Sequence, residues 1–334
     1  MGFSSSDAET LTVDGRPFVH PKTHPIETGR YLLQTNQIES LKETIVRWVD
    51  NRVPGGIVYG RPRLGKTRAI KYLMHVLPAE FDQRIPVYSL KCRQYKVINE
   101  NVFFEDILKD INHAYPSSGK ASQKRERLTK YLKENVESSG QHRLVFFLDD
   151  AQRLADIQYG WLMDINNELD SLGISLTVIL VGQKELIHQR SAFQQAKKFQ
   201  LIGRFMIDDY RFSGVKNVDD AQTCLAGYDQ YSDYPEGSGW SFTRYFLPDA
   251  FARGFRLEDC AADLFDCFCS ARTEAGLFQK AEIPMQYFTL TVDYVLRRYG
   301  RNGEDLNQIN RLQWNNAIKN SGYIKAEVNQ GVEE

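Results

Sequence analysis

The sequence predicts an α/β protein, a three-layer α/β/α sandwich around a five-stranded parallel sheet, with a small helical region after it. Three observations carry that prediction. Gly60-Arg61-Pro62-Arg63-Leu64-Gly65-Lys66-Thr67 fits the pattern G-x-x-x-x-G-K-[ST] and stands between a strand-like run and a helix-like one. Leu144-Val145-Phe146-Phe147-Leu148 is a continuous apolar run that ends on two carboxylates, Asp149 and Asp150. Around them, short apolar runs alternate with stretches of helical periodicity, as parallel strands joined by crossover helices require.

The first element is the phosphate loop. Ile57-Val58-Tyr59 reads as a buried strand and Arg68 to Leu77 as a helix. The two glycines let the backbone wrap closely, so that N–H groups face phosphate oxygens at the positive end of the helix. The whole loop, Gly60, Arg61, Pro62, Arg63, Leu64, Gly65, Lys66, Thr67 and Arg68, is therefore expected to hold ATP. Lys66 would reach the β- and γ-phosphates, and the Thr67 hydroxyl would hold Mg2+. At the end of the acidic strand, Asp149 is placed to bind magnesium through water, and Asp150 to orient and polarise the attacking water. Asp-Asp after a strand also starts turns, but a phosphate loop upstream favours the nucleotide reading.

Composition limits the partners. Of 334 residues 25% are charged and the formal net charge is −1, so any nucleic-acid contact must come from a local patch. Five cysteines, Cys92, Cys224, Cys260, Cys267 and Cys269, lack metal-site spacing and read as reduced thiols of a cytoplasmic protein. No apolar run approaches a membrane span, and no signal peptide is visible. Met1-Gly2-Phe3-Ser4-Ser5-Ser6 matches a myristoylation pattern formally; a flexible serine-rich start is the simpler reading.

Along the chain, residues 1–28 read as a polar arm containing His20-Pro21 and His24-Pro25. An ATPase core is expected over 29–215. Its leading helix, Gln37 to Val49, buries Ile38, Leu41, Ile45 and Val49. Ile85 to Leu90 reads as a second strand, Asn101 to Tyr115 as a helix, and Lys120 to Arg127 opens another helix with a dense positive face. Such a face is either solvated surface or a phosphate contact. Ile174 to Val181 reads as the fourth strand, Ser191 to Gln200 as a polar helix and Met206 to Phe212 as the fifth strand. Asp219 to Gly239 reads as a loop or insertion, and helices return around Leu257 to Phe268 and Val292 to Tyr299, giving an insertion-and-lid region over 216–321. The tail, 322–334, reads as disordered.

Taken in order, the phosphate loop, the Asp-Asp strand end, Val181-Gly182-Gln183 and Gly203-Arg204-Phe205 resemble the AAA+ ATPases. With Ser241-Phe242-Thr243-Arg244-Tyr245-Phe246-Leu247-Pro248 and Gly254-Phe255-Arg256-Leu257, they are similar to one branch, the TnsC/TniB/MuB-type transposition regulators. The resemblance covers about residues 30–300 and includes regulators of CRISPR-associated transposons. It implies that Gln183, or less favourably Thr177, senses the γ-phosphate, and that Arg204 is a finger offered to a neighbouring subunit's nucleotide. It further implies that Arg256 opens a lid helix and touches the γ-phosphate, with surface capping as the alternative. Tyr31, Leu32 and Gln34 would lie beside the adenine unless they are ordinary core. DNA contacts would come from loops supplying Lys91, Arg93, Lys96, Lys120, Lys124, Arg125 and Arg127.

The implied function is an ATP-dependent regulator of DNA transposition. It would form homo-oligomeric rings or helical filaments on duplex DNA and link a target-selection protein to a transposase. One departure is Asp149-Asp150 where many AAA+ proteins have Asp-Glu, which would make hydrolysis slow. An ExeA-like ATPase acting on protein partners and a non-hydrolysing nucleotide-binding scaffold are the competing readings.

Overall fold

The structure, a computed structural model, describes residues 15–330 except Gln83 and Asn307. The serine-rich start with its formal myristoylation pattern and residues 331–334 lie outside the described residues. Two compact units are present: residues 37–213 form one, and residues 15–36 together with 214–330 form the other.

The first unit is the expected α/β sandwich. Strands β1 (Gly55–Tyr59), β2 (Val87–Lys91), β3 (Arg143–Asp149), β4 (Ser175–Gly182) and β5 (Asp208–Arg211) form one sheet in the order β2-β3-β4-β1-β5. Every pairing is parallel. Both faces are covered, which is why the central strands are apolar without interruption. Along β3, Leu144, Phe146 and Leu148 enter one core, whereas Val145 and Phe147 enter the other, as a period of two demands. Ile179 and Val181 of β4 repeat the alternation against Val178 and Leu180.

Helices α2 (Asn36–Asp50) and α3 (Lys66–Glu80) supply Leu41, Ile45, Trp48, Ile70 and Leu73 to one face. Helices α4 (Glu100–Asp110), α5 (Ala121–Ser139) and α6 (Asp156–Ser171) supply Phe104, Leu108, Leu128, Tyr159 and Ile165 to the other. Helices α7 (Glu185–Gln195) and α8 (Phe199–Phe205) add Leu186, Leu201 and Phe205 there. The polar helix expected over 191–200 is therefore two helices, broken at Lys197, whose φ of 58° leaves the helical region. At the two ends of this unit, Ser213 Oγ donates to Gln37 Oε1 at 2.7 Å and the Ser213 N–H reaches the same atom at 3.3 Å.

The second unit is helical: α1 (Pro25–Thr28), α9 (Val218–Asp229), α10 (Phe242–Phe246), α11 (Pro248–Ala252), α12 (Ala261–Glu274), α13 (Met285–Tyr299), α14 (Arg311–Ser321) and α15 (Tyr323–Gln330). Its core holds Tyr228, Phe246, Phe268, Phe288, Trp314 and Tyr323. Three expectations change here. Residues 15–28 are not a polar arm, because His24 is fully buried among Tyr234, Phe242, Tyr245 and Phe246 and its Nδ1 accepts the Ile26 N–H. Asp219 to Gly239 is not mainly loop. Its first half is α9, started by the Asn217 side chain accepting the Asp220 N–H and by two acids at the positive end. Gly227 inside α9 admits Leu33, which would lie 2.9 Å from a Cβ there. The tail is not disordered over 323–330. Helix α15 buries Tyr323 and Glu327, and the Arg272 guanidinium donates to both, at 3.0 Å and 2.5 Å.

Candidate nucleotide-binding site

Register brings the site together. At the C-terminal edge of the sheet Lys91 pairs with Asp149, Asp149 with Val181, and Tyr59 with Gly182. Inserting β4 between β1 and β3 puts its tip between the phosphate loop and the acidic strand end. Loops at that edge form the crevice where open α/β sheets bind ligands.

The phosphate loop has the backbone its sequence requires. Arg63 has φ 67° and Gly65 φ 102°, so the chain turns back before α3 begins at Lys66. No side chain caps that helix start, which leaves its first N–H groups available to an anion. Lys66 Nζ donates to the carbonyls of Gly60 and Arg61, both at 2.7 Å, and so lies back over the loop. Burial lowers the Lys66 ammonium to about 8, against the opposing pull of Asp149, Asp150 and Glu185. A desolvated cation over an uncapped helix start fits a polyphosphate.

Thr67 Oγ1 donates to Asp149 Oδ2 at 2.8 Å, bringing together the two side chains expected to hold magnesium. Burial raises Asp149 above the usual carboxylate range, with the Thr67 hydrogen bond opposing it. When bound, Mg2+ would screen the phosphates and ATP would supply the reacting phosphoanhydride. Asp150 follows in the left-handed region at φ 57° and turns the chain out of the sheet. Its Oδ2 lies 3.3 Å from Arg153, and its Oδ1 accepts from Gln152 Nε2 at 3.3 Å. Gln183 stands directly after β4, and its N–H donates to Gln152 Oε1 at 3.3 Å. Thr177, the less favoured sensor, lies deep in β4 with its hydroxyl bonded to Val53 O. Sequence reasoning missed Gln152, Arg153 and Glu185; the only signal for the first two was adjacency to Asp149-Asp150.

Arg204 lies far from this crevice. A Cβ on Gly55 would stand 2.7 Å from both Arg204 O and Phe205 Cα, so the end of α8 packs at the start of β1. Four strand steps separate Gly55 from Tyr59, about 13 Å at the usual rise. Arg204 instead donates to Asn167 Oδ1 on α6 at 3.2 Å.

Arg256 takes the capping alternative. Its guanidinium stands 3.6 Å from the Phe251 ring centroid and donates to the carbonyls of Phe251 and Phe255. A side chain held this way is engaged with its own loop. Tyr31 belongs to the core of the helical unit, donating to Asp293 Oδ1 at 2.6 Å beside the Tyr228 hydroxyl.

The basic candidates divide. Lys124 is overturned as a DNA contact: its side chain is fully buried and Nζ lies 2.6 Å from Glu105 Oε2. Arg93 is clasped by Asp110 at 2.7 Å, and Arg125 faces Asp164 at 3.2 Å. Arg127 donates to the carbonyls of Tyr115 and Ser118. Lys91, Lys96 and Lys120 are exposed. Of the dense positive face, Lys124 and Arg125 are therefore held in ion pairs and Arg127 by backbone carbonyls, which leaves Lys120 exposed.

The fold is the AAA+ P-loop fold. Residues 54–189 match the AAA domain family. No curated protein matches the sequence significantly. Among solved structures, Aeropyrum pernix ORC2 in ADPNP–ADP complexes is similar at a TM-score of 0.57 and 14% identity, over 89% of this chain and 71% of that one. A. pernix ORC1 in complex with DNA gives 0.51 and 12%, over 89% and 66%. A Walker-type ATPase of Pyrococcus abyssi gives 0.52 and 14%, over 90% and 77%. The likeness at these identities is one of fold. Among the described residues, no helix is long and apolar enough to cross a membrane.

Proposed function

We propose that the chain is an ATP-hydrolysing AAA+ switch that assembles on duplex DNA, with Arg204 of one subunit completing the nucleotide site of the next. One observation carries this reading. The loop cation Lys66 and the Thr67–Asp149 pair stand at the C-terminal edge of the sheet, while the end of α8 that carries Arg204 packs at the start of β1, away from its own phosphate loop, which supports a role for Arg204 towards another copy. ATP and Mg2+ are the expected ligands. The A. pernix ORC1 structure was determined with DNA, and DNA is carried over to this chain as part of the proposal. Regulation of transposition, with a transposase and a target-selection protein as partners, rests on the resemblance of the motif segments and is the finer form of the same proposal.

A second reading is favoured by a specific observation. With Arg93, Lys124, Arg125 and Arg127 tied to acids or carbonyls, little of the basic run is left for phosphates. That supports an ExeA-like ATPase working on protein partners. Measuring ATP turnover and sedimentation with and without duplex DNA decides between them. DNA-stimulated turnover together with ATP-dependent assembly on DNA supports the first; turnover indifferent to DNA supports the second. Absence of product supports a nucleotide-binding scaffold.

A further inference from the structure

Gln152 touches both halves of the catalytic edge. Its Nε2 donates to Asp150 Oδ1 and its Oε1 accepts the Gln183 N–H, each at 3.3 Å. The turn that carries it is itself anchored. Gln189 Nε2 on α7 donates to the carbonyls of Gln152 and Leu154, at 3.0 Å and 3.2 Å, and Gln189 Oε1 accepts from the buried Tyr159 hydroxyl at 3.2 Å. The end of β4 is shaped to receive the amide, since a Cβ on Gly182 would stand 2.1 Å from Gln152 Oε1.

Asp150 needs such a tether. It sits in the left-handed region at φ 57°, sparsely populated for a non-glycine residue, just past the end of β3. One carboxylate oxygen is held by Gln152 and the other lies near Arg153. The donor and acceptor ends of one planar amide are both used, and this selects the residue type. Glutamate would turn a like charge towards Asp150, asparagine is one methylene shorter, and leucine fills the space with neither group.

We infer that Gln152 is a positioning residue for hydrolysis, tying the Asp150 carboxylate to the tip of β4 so that the two present one fixed geometry to the attacking water. The inference rests on the ATPase reading above. The role is indirect, because Gln152 acts through Asp150 and Gln183.

Gln152→Leu and Gln152→Glu in the full chain test it. Three quantities are measured: kcat and KM for ATP, dissociation constants for a fluorescent ATP analogue, and hydrogen exchange of the Gln183 amide without nucleotide. Leucine removes both arms and glutamate only the donor. Both variants are expected to lose about ten- to a hundredfold in kcat while binding the analogue within about threefold of the parent. Exchange at Gln183 should accelerate in Gln152→Leu and stay near the parent in Gln152→Glu, whose carboxylate still accepts that N–H. An active parent whose Gln152→Leu variant keeps kcat within twofold overturns the inference alone. So does a loss of kcat matched by an equal loss of analogue affinity, which marks general loosening of the turn. A parent that turns over no ATP overturns the ATPase reading, and this inference falls with it.

Discussion

The ammonium of Lys124 lies 2.6 Å from Glu105 Oε2, with its side chain fully buried between helices. Lys109 at 2.7 Å, Lys124 and Ser117 together draw the Glu105 carboxyl down to about 2. The pair is an anchor between α4 and α5. Lys124→Ala should therefore lower stability by roughly 1–2 kcal/mol, since it removes the buried partner of an ion pair and empties the space of a long aliphatic stem, while Lys109 and Ser117 still hold the Glu105 carboxylate. Chemical denaturation checks this. A loss below about 0.5 kcal/mol would mean the lysine is not held as the structure has it.

The DNA test falls on the exposed lysines instead. Replacing Lys91, Lys96 and Lys120 together by alanine should weaken duplex binding and flatten its dependence on salt. Each lost phosphate contact lowers the log–log slope by roughly 0.9. Fluorescence anisotropy over a salt series reads both quantities. If neither moves, these lysines do not touch DNA.

Lys66→Ala should raise the dissociation constant for ATP about ten- to a hundredfold, the range expected when a buried charged donor is lost. Asp149→Ala should keep much of the nucleotide affinity measured in EDTA but lose the gain produced by added magnesium. Titration of a fluorescent nucleotide with and without Mg2+ separates the two. Unchanged affinity in Lys66→Ala would remove the phosphate loop from the site.

Arg204→Ala should leave nucleotide binding to the monomer nearly intact, because the loop that binds lies at the other edge of the sheet. Hydrolysis should fall by roughly 10³-fold, as for an arginine finger, and ATP-dependent assembly should fail with it. Mixing Arg204→Ala with Lys66→Ala subunits restores some whole composite sites, so partial recovery of turnover is the expected result. If Arg204→Ala hydrolyses and assembles like the parent, the finger lies elsewhere.

The sign of the pH dependence follows from His24. Burial, with Arg16 nearby, lowers its pKa to about 4 from an ordinary 6.5. The unfolded chain then binds the extra proton first as pH falls. This group leaves stability untouched above about pH 6.5 and erodes it between about 6.5 and 4, by at most roughly 3 kcal/mol. His24→Gln should flatten thermal stability across that window, whatever it costs at neutral pH. A variant whose melting temperature still drops as steeply as the parent's would assign the effect to other groups.

The parts legible in the sequence were those whose physics is local. The phosphate loop declares itself by spacing, and the Leu144 to Asp150 run by its length and abrupt end. Both landed on one edge because parallel register put them there. Lys124 was misread because its partner lies 19 residues upstream on another helix. Gly227 hid α9, since a glycine chosen for the approach of Leu33 looks like a loop residue in sequence. Gln152 carries no local signal of its use, because its meaning comes from Asp150, Gly182 and Gln183 converging on one amide. Residues up to 28 looked like a polar arm, yet His24 belongs to an aromatic core completed more than 200 residues later.

The hydrogen bond between Ser213 and Gln37 makes the nucleotide-binding unit a cassette. A segment whose first and last residues already touch can be lifted out, or joined end to end and reopened elsewhere, with little loop-closure entropy to overcome. A circular permutant of 37–213 reopened in the surface loop at Ser117-Ser118 should fold.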